Sequence, residues 1–122
     1  KNHGHLVNEH NRVNRPWGWF ETVDEGNNFK VKRIQVKSGA KLSYQSHTFR
    51  NEHWVIVRGR ATIIQNDKQM TLEHDESTFI KMGVKHQSIN QEKVPLEIIE
   101  VQTGVKVMED DIVRFEDLYG RD

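Results

Sequence analysis

Cysteine is absent from this chain of 122 residues, and only two residues are proline. The lack of cysteine excludes a disulfide-stabilised scaffold and any metal site built on thiolates. No apolar run approaches the roughly 20 residues that a membrane-spanning helix needs, so we expect no membrane insertion. Because the chain also lacks an apolar signal segment, we expect it to work in the cytoplasm.

An excess of one charge is also lacking, since 18 basic residues balance 18 acidic ones. Proteins that bind nucleic acid usually carry a basic excess, so we expect no nucleic-acid partner. Histidine, by contrast, is plentiful, with seven residues in the chain. With no thiolate to compete, a site of nitrogen and oxygen ligands for a divalent transition metal is the chemistry to look for.

Short apolar segments recur along the chain with the period of two that is typical of β-strands. Glycines end several of them, and Asn66-Asp67 predicts a tight hairpin turn. No helical segment separates these strands, so a parallel α/β fold is excluded and an antiparallel sandwich or barrel is expected. The predicted strands cover residues 29–36, 53–59, 60–65, 69–73, 77–82, 86–90 and 95–104.

The two ends of the chain depart from this pattern. Residues 1–14 are polar, show neither a strand nor a helix period, and are assigned to a leader or linker. Residues 15–122 are assigned to one domain. Within residues 109–120, apolar side chains recur at helical spacing behind a group of carboxylates, which predicts a short C-terminal helix.

Four candidate metal ligands come from three predicted strands. Gln45 and His47 are two residues apart and therefore project to the same side of a strand, while Glu52 opens the next strand and His86 follows a glycine turn. Such nitrogen and oxygen donors suit a divalent transition metal. Without a metal, Glu52 inside a barrel would be an unpaired buried charge, which favours its role as a ligand. Gln45 has a second interpretation, as a hydrogen-bonded polar residue of the core.

These residues lie in two motifs that resemble those of the cupin family. In the first, Gln45 stands at the first histidine position, and Glu52 and Gly59 have the family's spacing. The second appears as KMGVKHQSIN, with Lys81 where the motif has proline. The chain is also similar to type II phosphomannose isomerases, a domain that in bifunctional enzymes follows a mannose-1-phosphate guanylyltransferase domain. The segments that carry this similarity are RPWGWFETVDEG (15–26), FKVKRIQVKSGAKLSYQSH (29–47), EHWVIVRG (52–59), PLEIIEVQTG (95–104) and EDDIVRFEDLYGR (109–121).

The resemblance implies an all-β, single-domain cupin, which is a jelly-roll antiparallel β-barrel, with a short C-terminal helix. It implies a metal-dependent isomerase that interconverts mannose 6-phosphate and fructose 6-phosphate in the synthesis of GDP-mannose and polysaccharide precursors. One divalent ion is expected, zinc first, with Mn, Fe, Co or Ni as alternatives. The expected partners are the sugar phosphate, a second copy in a homodimer and a fused nucleotidyltransferase domain.

The substrate's phosphate and the transferred proton need further residues. Arg114, Arg50 and Lys85 are the phosphate candidates, because arginine offers a planar pair of donors and lysine a point charge. For each of them a surface salt bridge is the other interpretation. The base that removes the C2 proton is left open between Glu100, Lys85 and a water on the metal.

One departure from the family leaves other functions open. The family usually has a run of three histidines where this chain has His47-Thr48-Phe49. The spacing to Glu52 favours His47 as the ligand. If the family's ligand were instead the second or third histidine of the run, this chain would lack it, because Thr48 and Phe49 stand there. The alternatives are a non-catalytic cupin, which binds a sugar phosphate or assembles a larger guanylyltransferase, and a different sugar isomerase or epimerase.

Overall fold

Alternating side chains and frequent turn residues give this chain a structure made of β-strands. The computed structural model describes residues 12–105, 107–108 and 110–115, and within these ranges it contains eleven strands and no helix. The strands are Arg12–Arg15 (β1), Gly18–Glu25 (β2), Phe29–Val36 (β3), Gln45–Ser46 (β4), Asn51–Arg58 (β5), Ala61–Gln65 (β6), Lys68–Leu72 (β7), Ser77–Ile80 (β8), His86–Ile89 (β9), Leu96–Thr103 (β10) and Val113–Arg114 (β11).

The strands form two antiparallel sheets. The six-stranded sheet has the order β1-β2-β3-β10-β5-β8, and the five-stranded sheet has the order β11-β4-β9-β6-β7. Every strand pair among the described residues is antiparallel. The expected antiparallel all-β architecture is confirmed. As that architecture requires, the first and second cupin-like motifs, far apart in sequence, meet where β4 pairs with β9.

The inner face of the larger sheet changes from apolar to polar along its strands. At one end Val36, Ile56 and Leu96 are fully buried and form the hydrophobic core with the apolar residues of the smaller sheet. Further along the same strands, Lys32 and Glu100 are also buried. Burying apolar side chains stabilises the fold, whereas a buried charge needs a partner. The polar end of the face is therefore where a function is expected.

Two turns connect the strands as the sequence predicts. Asn66 and Asp67 have positive φ angles of 47° and 69° between β6 and β7, the left-handed conformation that a two-residue hairpin turn requires. Gly59 has a φ of +83° between β5 and β6, and a Cβ atom there would lie 2.8 Å from the carbonyl oxygen of Pro95. Only glycine fits that position without displacing the backbone of a neighbouring segment.

The ends of the described chain differ from expectation. The helix predicted over 109–120 is wrong for residues 110–115, which contain β11, while residues 116–120 lie outside the described residues. Instead of forming a helix, residues 113–114 form β11, which pairs with β4 at the edge of the five-stranded sheet. The polar sequence pattern assigns residues 12–14 to the leader, whereas the structure includes them in β1, paired with β2. Residues 1–11 lie outside the described residues. No described segment is a helix long and apolar enough to cross a bilayer.

Candidate metal centre

A cavity of about 400 Å³ lies between the sheets at the polar end of the inner face. Its lining combines hydrogen-bonding and charged side chains with an apolar floor that includes Ile34 and Ile98. Such a cavity has the size and composition of a small-molecule site. The polar and charged side chains that line it are Arg15, Lys32, Gln45, His47, Arg50, Glu52, His86, Ser88, Glu100, Gln102, Asp110 and Arg114.

Three of these residues, His47, Glu52 and His86, form a group that we call the metal cluster. Their potential ligand atoms all lie within 4.8 Å of one another, and all three side chains are buried. Glu52 Oε2 lies 3.2 Å from His47 Nε2, and Glu52 Oε1 lies 4.0 Å from His86 Nε2. Donors bonded to one ion at about 2.0–2.2 Å are separated by roughly 3–4 Å, so these distances suit a shared ion.

The protonation states of the metal cluster also suit a cation. Burial lowers the pKa of His47 to about 4 and also lowers the pKa of His86, in both cases against the attraction of Glu52. Burial would raise the pKa of Glu52, but the charges of His47, His86 and Arg50 and a hydrogen bond from Trp54 lower it to about 2. At neutral pH the cluster therefore offers two neutral imidazoles and one carboxylate, the forms that bind metal ions.

Hydrogen bonds orient both imidazoles toward Glu52. Nδ1 of His47 donates to the carbonyl oxygen of Asp111 over 2.6 Å, and Nδ1 of His86 donates to the carbonyl oxygen of Val84 over 3.1 Å. Because a carbonyl oxygen can only accept, each Nδ1 must carry the proton, which leaves the Nε2 lone pair for a ligand. The backbone of two different segments thus selects the tautomer that a metal needs.

Asp111 also holds the loop that carries His47. Its carboxylate accepts hydrogen bonds from the backbone N–H groups of Thr48 and Phe49, over 2.8 and 2.9 Å. The side chains of Thr48 and Phe49 are exposed. Of the three positions at which the resemblance leads us to expect histidines, only His47 belongs to the metal cluster, and the exposed side chains at the next two lie outside it.

Arg50 is the positive charge that faces Glu52 in this structure. Its Nε donates to Glu52 Oε2 over 2.8 Å, and Nη1 donates to the carbonyl oxygen of Met108. A third nitrogen, Nη2, lies 3.4 Å from His47 Nε2. On the other carboxylate oxygen, Glu52 accepts a 2.9 Å hydrogen bond from Trp54 Nε1. The donor set fits a divalent ion, provided that the ion replaces Arg50 at Glu52 Oε2.

Gln45, the fourth predicted ligand, lies beside the metal cluster. It pairs directly with His86 in the register of β4 and β9, is buried and lines the cavity. Its role as a ligand therefore stays a prediction. Two other histidines lie outside the cavity lining and are exposed: His53 packs against Phe79, and His74 lies in a polar turn.

The predicted phosphate and base residues are distributed differently around the cavity. Arg114 and Arg50 line it, whereas Lys85 is exposed, is absent from the lining, and has its Nζ 4.5 Å from the ring centroid of Phe115. Glu100 lines the cavity and accepts a 2.9 Å hydrogen bond from Gln102. Burial and the charge of Glu52 raise the pKa of Glu100 to about 7, although Lys32 acts in the opposite direction.

Several residues of the site were missed by sequence reasoning. The alternation in FKVKRIQV places Lys32 on the same face as Ile34, and this signal could have revealed Lys32 as a buried cation. Trp54 follows Glu52 by two residues and so shares its face, a signal of the same kind. No local pattern pointed to Asp111, because its partners are more than sixty positions away in the sequence.

Comparison with known proteins relates this site to a family. The model of the family described as "Mannose-6-phosphate isomerase C-terminal" matches residues 2–117. The chain belongs to this family. It is 52% identical over 112 residues to "Xanthan biosynthesis protein XanB" of Xanthomonas campestris pv. campestris, covering 92% of this chain and 24% of that protein. It is 46% identical over 117 residues to "Mannose-1-phosphate guanylyltransferase ManC" of Salmonella typhimurium, covering 96% of this chain and 24% of that protein.

The chain thus spans about a quarter of the length of these curated relatives. Among solved structures, a sugar phosphate isomerase of the cupin superfamily from Silicibacter pomeroyi superposes with a TM-score of 0.65. The match has 16% sequence identity and covers 71% of this chain and 59% of that one. At this identity the likeness concerns the fold, and the expected cupin fold is confirmed.

Proposed function

We propose that this domain is a metal-dependent aldose–ketose isomerase that interconverts mannose 6-phosphate and fructose 6-phosphate. One observation carries the proposal: two neutral imidazoles and an ionised carboxylate face each other in a cavity that also holds Glu100. Membership of the family described as "Mannose-6-phosphate isomerase C-terminal" supports a sugar phosphate as the substrate class. The roles of XanB and ManC, by their names, suggest that the product serves polysaccharide and GDP-mannose synthesis.

The proposed roles of the residues follow from their protonation and contacts. His47, Glu52 and His86, with Gln45 as the fourth candidate, would hold one divalent ion, of which zinc is the first choice. When bound, such an ion polarises a carbonyl group and stabilises the negative charge that develops on its oxygen. Trp54 and Asp111 would keep Glu52 and His47 in position through the hydrogen bonds described above.

Glu100 is the residue that we propose moves the proton. The isomerisation moves one proton from C2 to C1 and a second from the C2 hydroxyl to the C1 oxygen. One carboxyl group can accept the carbon-bound proton and return it without a net change. In the metal-free protein, burial and the charge of Glu52 raise the pKa of Glu100 to about 7, which is near the optimum for both steps at neutral pH. Its hydrogen bond from Gln102 orients the carboxylate inside the cavity. Lys85, another of the three candidates, is not in the cavity lining.

Arg114, the phosphate candidate that the sequence suggests, lines the cavity, and its strand pairs with that of Gln45. Arg50 could contact the sugar phosphate only after releasing Glu52. A homodimer, a fused nucleotidyltransferase domain and a cytoplasmic location remain predictions for the whole protein.

A coupled assay for fructose 6-phosphate formation tests the proposed function. We expect turnover of mannose 6-phosphate by protein that contains about one divalent ion per chain, and loss of both in His47→Ala and His86→Ala. His53→Ala is the matched control, because that exposed ring does not line the cavity. Turnover that persists after complete metal removal would contradict the proposal.

A non-catalytic cupin domain is the second candidate, and the contact between Arg50 and Glu52 favours it. A permanent ion pair there would occupy the carboxylate that a metal needs. The two candidates differ in their response to added metal. An isomerase should show a thermal shift with zinc or manganese and gain turnover, whereas a domain with a permanent Arg50–Glu52 pair should show neither.

A further inference from the structure

A second group of side chains lines the cavity apart from the metal cluster. It consists of Arg15, Trp17 and Lys32, which surround the ring of Phe20. Lys32 Nζ lies 4.3 Å from the ring centroid and Arg15 Cζ lies 5.5 Å from it. The Trp17 ring is stacked on Phe20 with the centroids 6.5 Å apart. The hydrogen-bond donors of Arg15, Trp17 and Lys32 therefore lie around a single aromatic ring, that of Phe20, in one part of the cavity.

Two N–H groups of these side chains have no hydrogen-bond acceptor among the described residues, although Arg15 Nη1 donates to the carbonyl oxygen of Asn14 over 3.1 Å. Nε of Arg15 and Nε1 of Trp17 are buried and make no hydrogen bond to the described residues. Trp17 as a whole is only 2% exposed. A buried donor without an acceptor destabilises the folded state, so native proteins seldom keep one without a reason. Two such donors in the same cavity lining indicate an acceptor that enters from outside.

The charges around the cavity indicate that this acceptor is an anion. Arg15 and Lys32 bring two positive charges to the same ring, where they repel each other. The whole lining has four cationic side chains against three carboxylates. One of the carboxylates, Glu100, attracts Lys32 but is also repelled by Glu52. A dianion with several acceptor oxygens would compensate both cations and accept from the unpaired N–H groups.

The strand register relates this group to the metal cluster. Lys32 on β3 lies directly opposite Glu100 on β10, and Glu52 lies on β5, the next strand. Two strand spacings separate β3 from β5, which is about 9–10 Å. A six-carbon sugar with C1 and C2 at the metal cluster would extend across Glu100 and present its terminal phosphate near Lys32.

We propose that Arg15, Trp17 and Lys32 bind the phosphate group of an open-chain sugar phosphate. The identity of the sugar rests on the proposed isomerase function, whereas the anion site rests on the contacts described here. The assignment differs from the one that the sequence suggests, since Arg114 belongs to β11 in the other sheet.

Calorimetric titration with inorganic phosphate and with mannose 6-phosphate tests this site in the protein as purified. We expect Lys32→Met to weaken both affinities at least tenfold and Trp17→Phe, which removes the N–H donor together with the five-membered ring that carries it, to weaken them several-fold. Lys32→Arg should retain most of the affinity, and it keeps the test valid if Lys32→Met fails to fold. The matched control is Lys37→Met, an exposed lysine directly after the same strand. None of these substitutions should change the affinity for unphosphorylated mannose.

Three results would overturn the inference. Phosphate could bind equally well to wild type, Lys32→Met and Trp17→Phe. Its affinity could fall in Arg114→Ala but not in Lys32→Met, which would locate the phosphate at Arg114. It could fall only in His47→Ala, which would locate the anion on the metal. By contrast, phosphate binding that depends on Lys32, in a protein without isomerase turnover, would support the anion site and reject the proposed function.

Discussion

Replacing Asp111 by alanine tests whether the hydrogen bonds around the metal cluster support it, without changing any of the three residues of the cluster. Asp111 is 7% exposed, and its carboxylate accepts the N–H groups of Thr48 and Phe49. Hydrogen bonds to a charged group each contribute about 1.5–3 kcal/mol, so we expect Asp111→Ala to lower the free energy of unfolding by about 3 kcal/mol. For a domain of this size that corresponds to a fall in Tm of roughly 12 °C.

The same substitution should weaken metal binding although Asp111 is not a ligand. The carbonyl oxygen of Asp111 accepts the Nδ1 proton of His47, and the carboxylate holds the two residues that follow His47. Loss of such outer hydrogen bonds typically costs 10- to 100-fold in metal affinity. We therefore expect a Kd for zinc that is higher by about that factor.

Thermal unfolding and competitive zinc titration measure the two effects. Asp24→Ala is the matched control, because this exposed aspartate also accepts a backbone N–H, from Glu25 over 2.9 Å, but does not line the cavity. The control should stay within about 0.5 kcal/mol of wild type. If Asp111→Ala melts like wild type and binds zinc with the same affinity, the Asp111 contacts do not support His47 and the reasoning is wrong.

Three further predictions concern charge, protonation and backbone geometry. Glu52→Gln should weaken zinc binding at least tenfold and lower the Tm, because Arg50 is left buried without a counter-charge; an unchanged zinc titration would refute this. In metal-free protein the stabilisation from protonated Glu100 is complete below its ordinary pKa of 4.5 and is lost as the pH rises through about 7. Glu100→Gln cannot ionise, so relative to wild type it should gain thermal stability between pH 5 and pH 8, and parallel Tm–pH curves would contradict this. Gly59→Ala should destabilise by about 1–3 kcal/mol in urea unfolding. It should cost more than Gly39→Ala, where φ is +77° but nothing lies within 4 Å of the added Cβ, and equal losses would refute the proposed clash with the backbone.

Local patterns were sufficient for most of the fold. The alternation in residues 29–36 and 96–103 encodes the strands, because successive side chains of a strand face opposite sides. Asn66-Asp67 encodes its hairpin turn for a similarly local reason, since few residues tolerate two successive positive φ angles. The helical spacing after residue 109 gave a wrong prediction for residues 110–115. Their backbone pairs as β11 with the edge strand β4, whose unpaired N–H and C=O groups were available.

The metal cluster was predicted only in part from the sequence. The spacing of His47 and Glu52 and the glycine turn before His86 mark the three residues in the sequence, and the fold brings their donor atoms within 4.8 Å. The sequence does not reveal what surrounds them. Arg50 was expected to be available for phosphate, yet it donates to Glu52, because a buried carboxylate takes the nearest cation.

Thus the sequence alone determined the strand order along the chain, the turns and the candidate ligands, all of which depend on residues close to each other in the chain. Only the tertiary structure decided which charges share the cavity. Lys32 faces Glu100 across a strand pair, and Asp111 reaches the loop after His47, in both cases over more than sixty positions of sequence. Such contacts arise when the two sheets close over a common core, and no periodicity within one segment records which distant residue will lie opposite it.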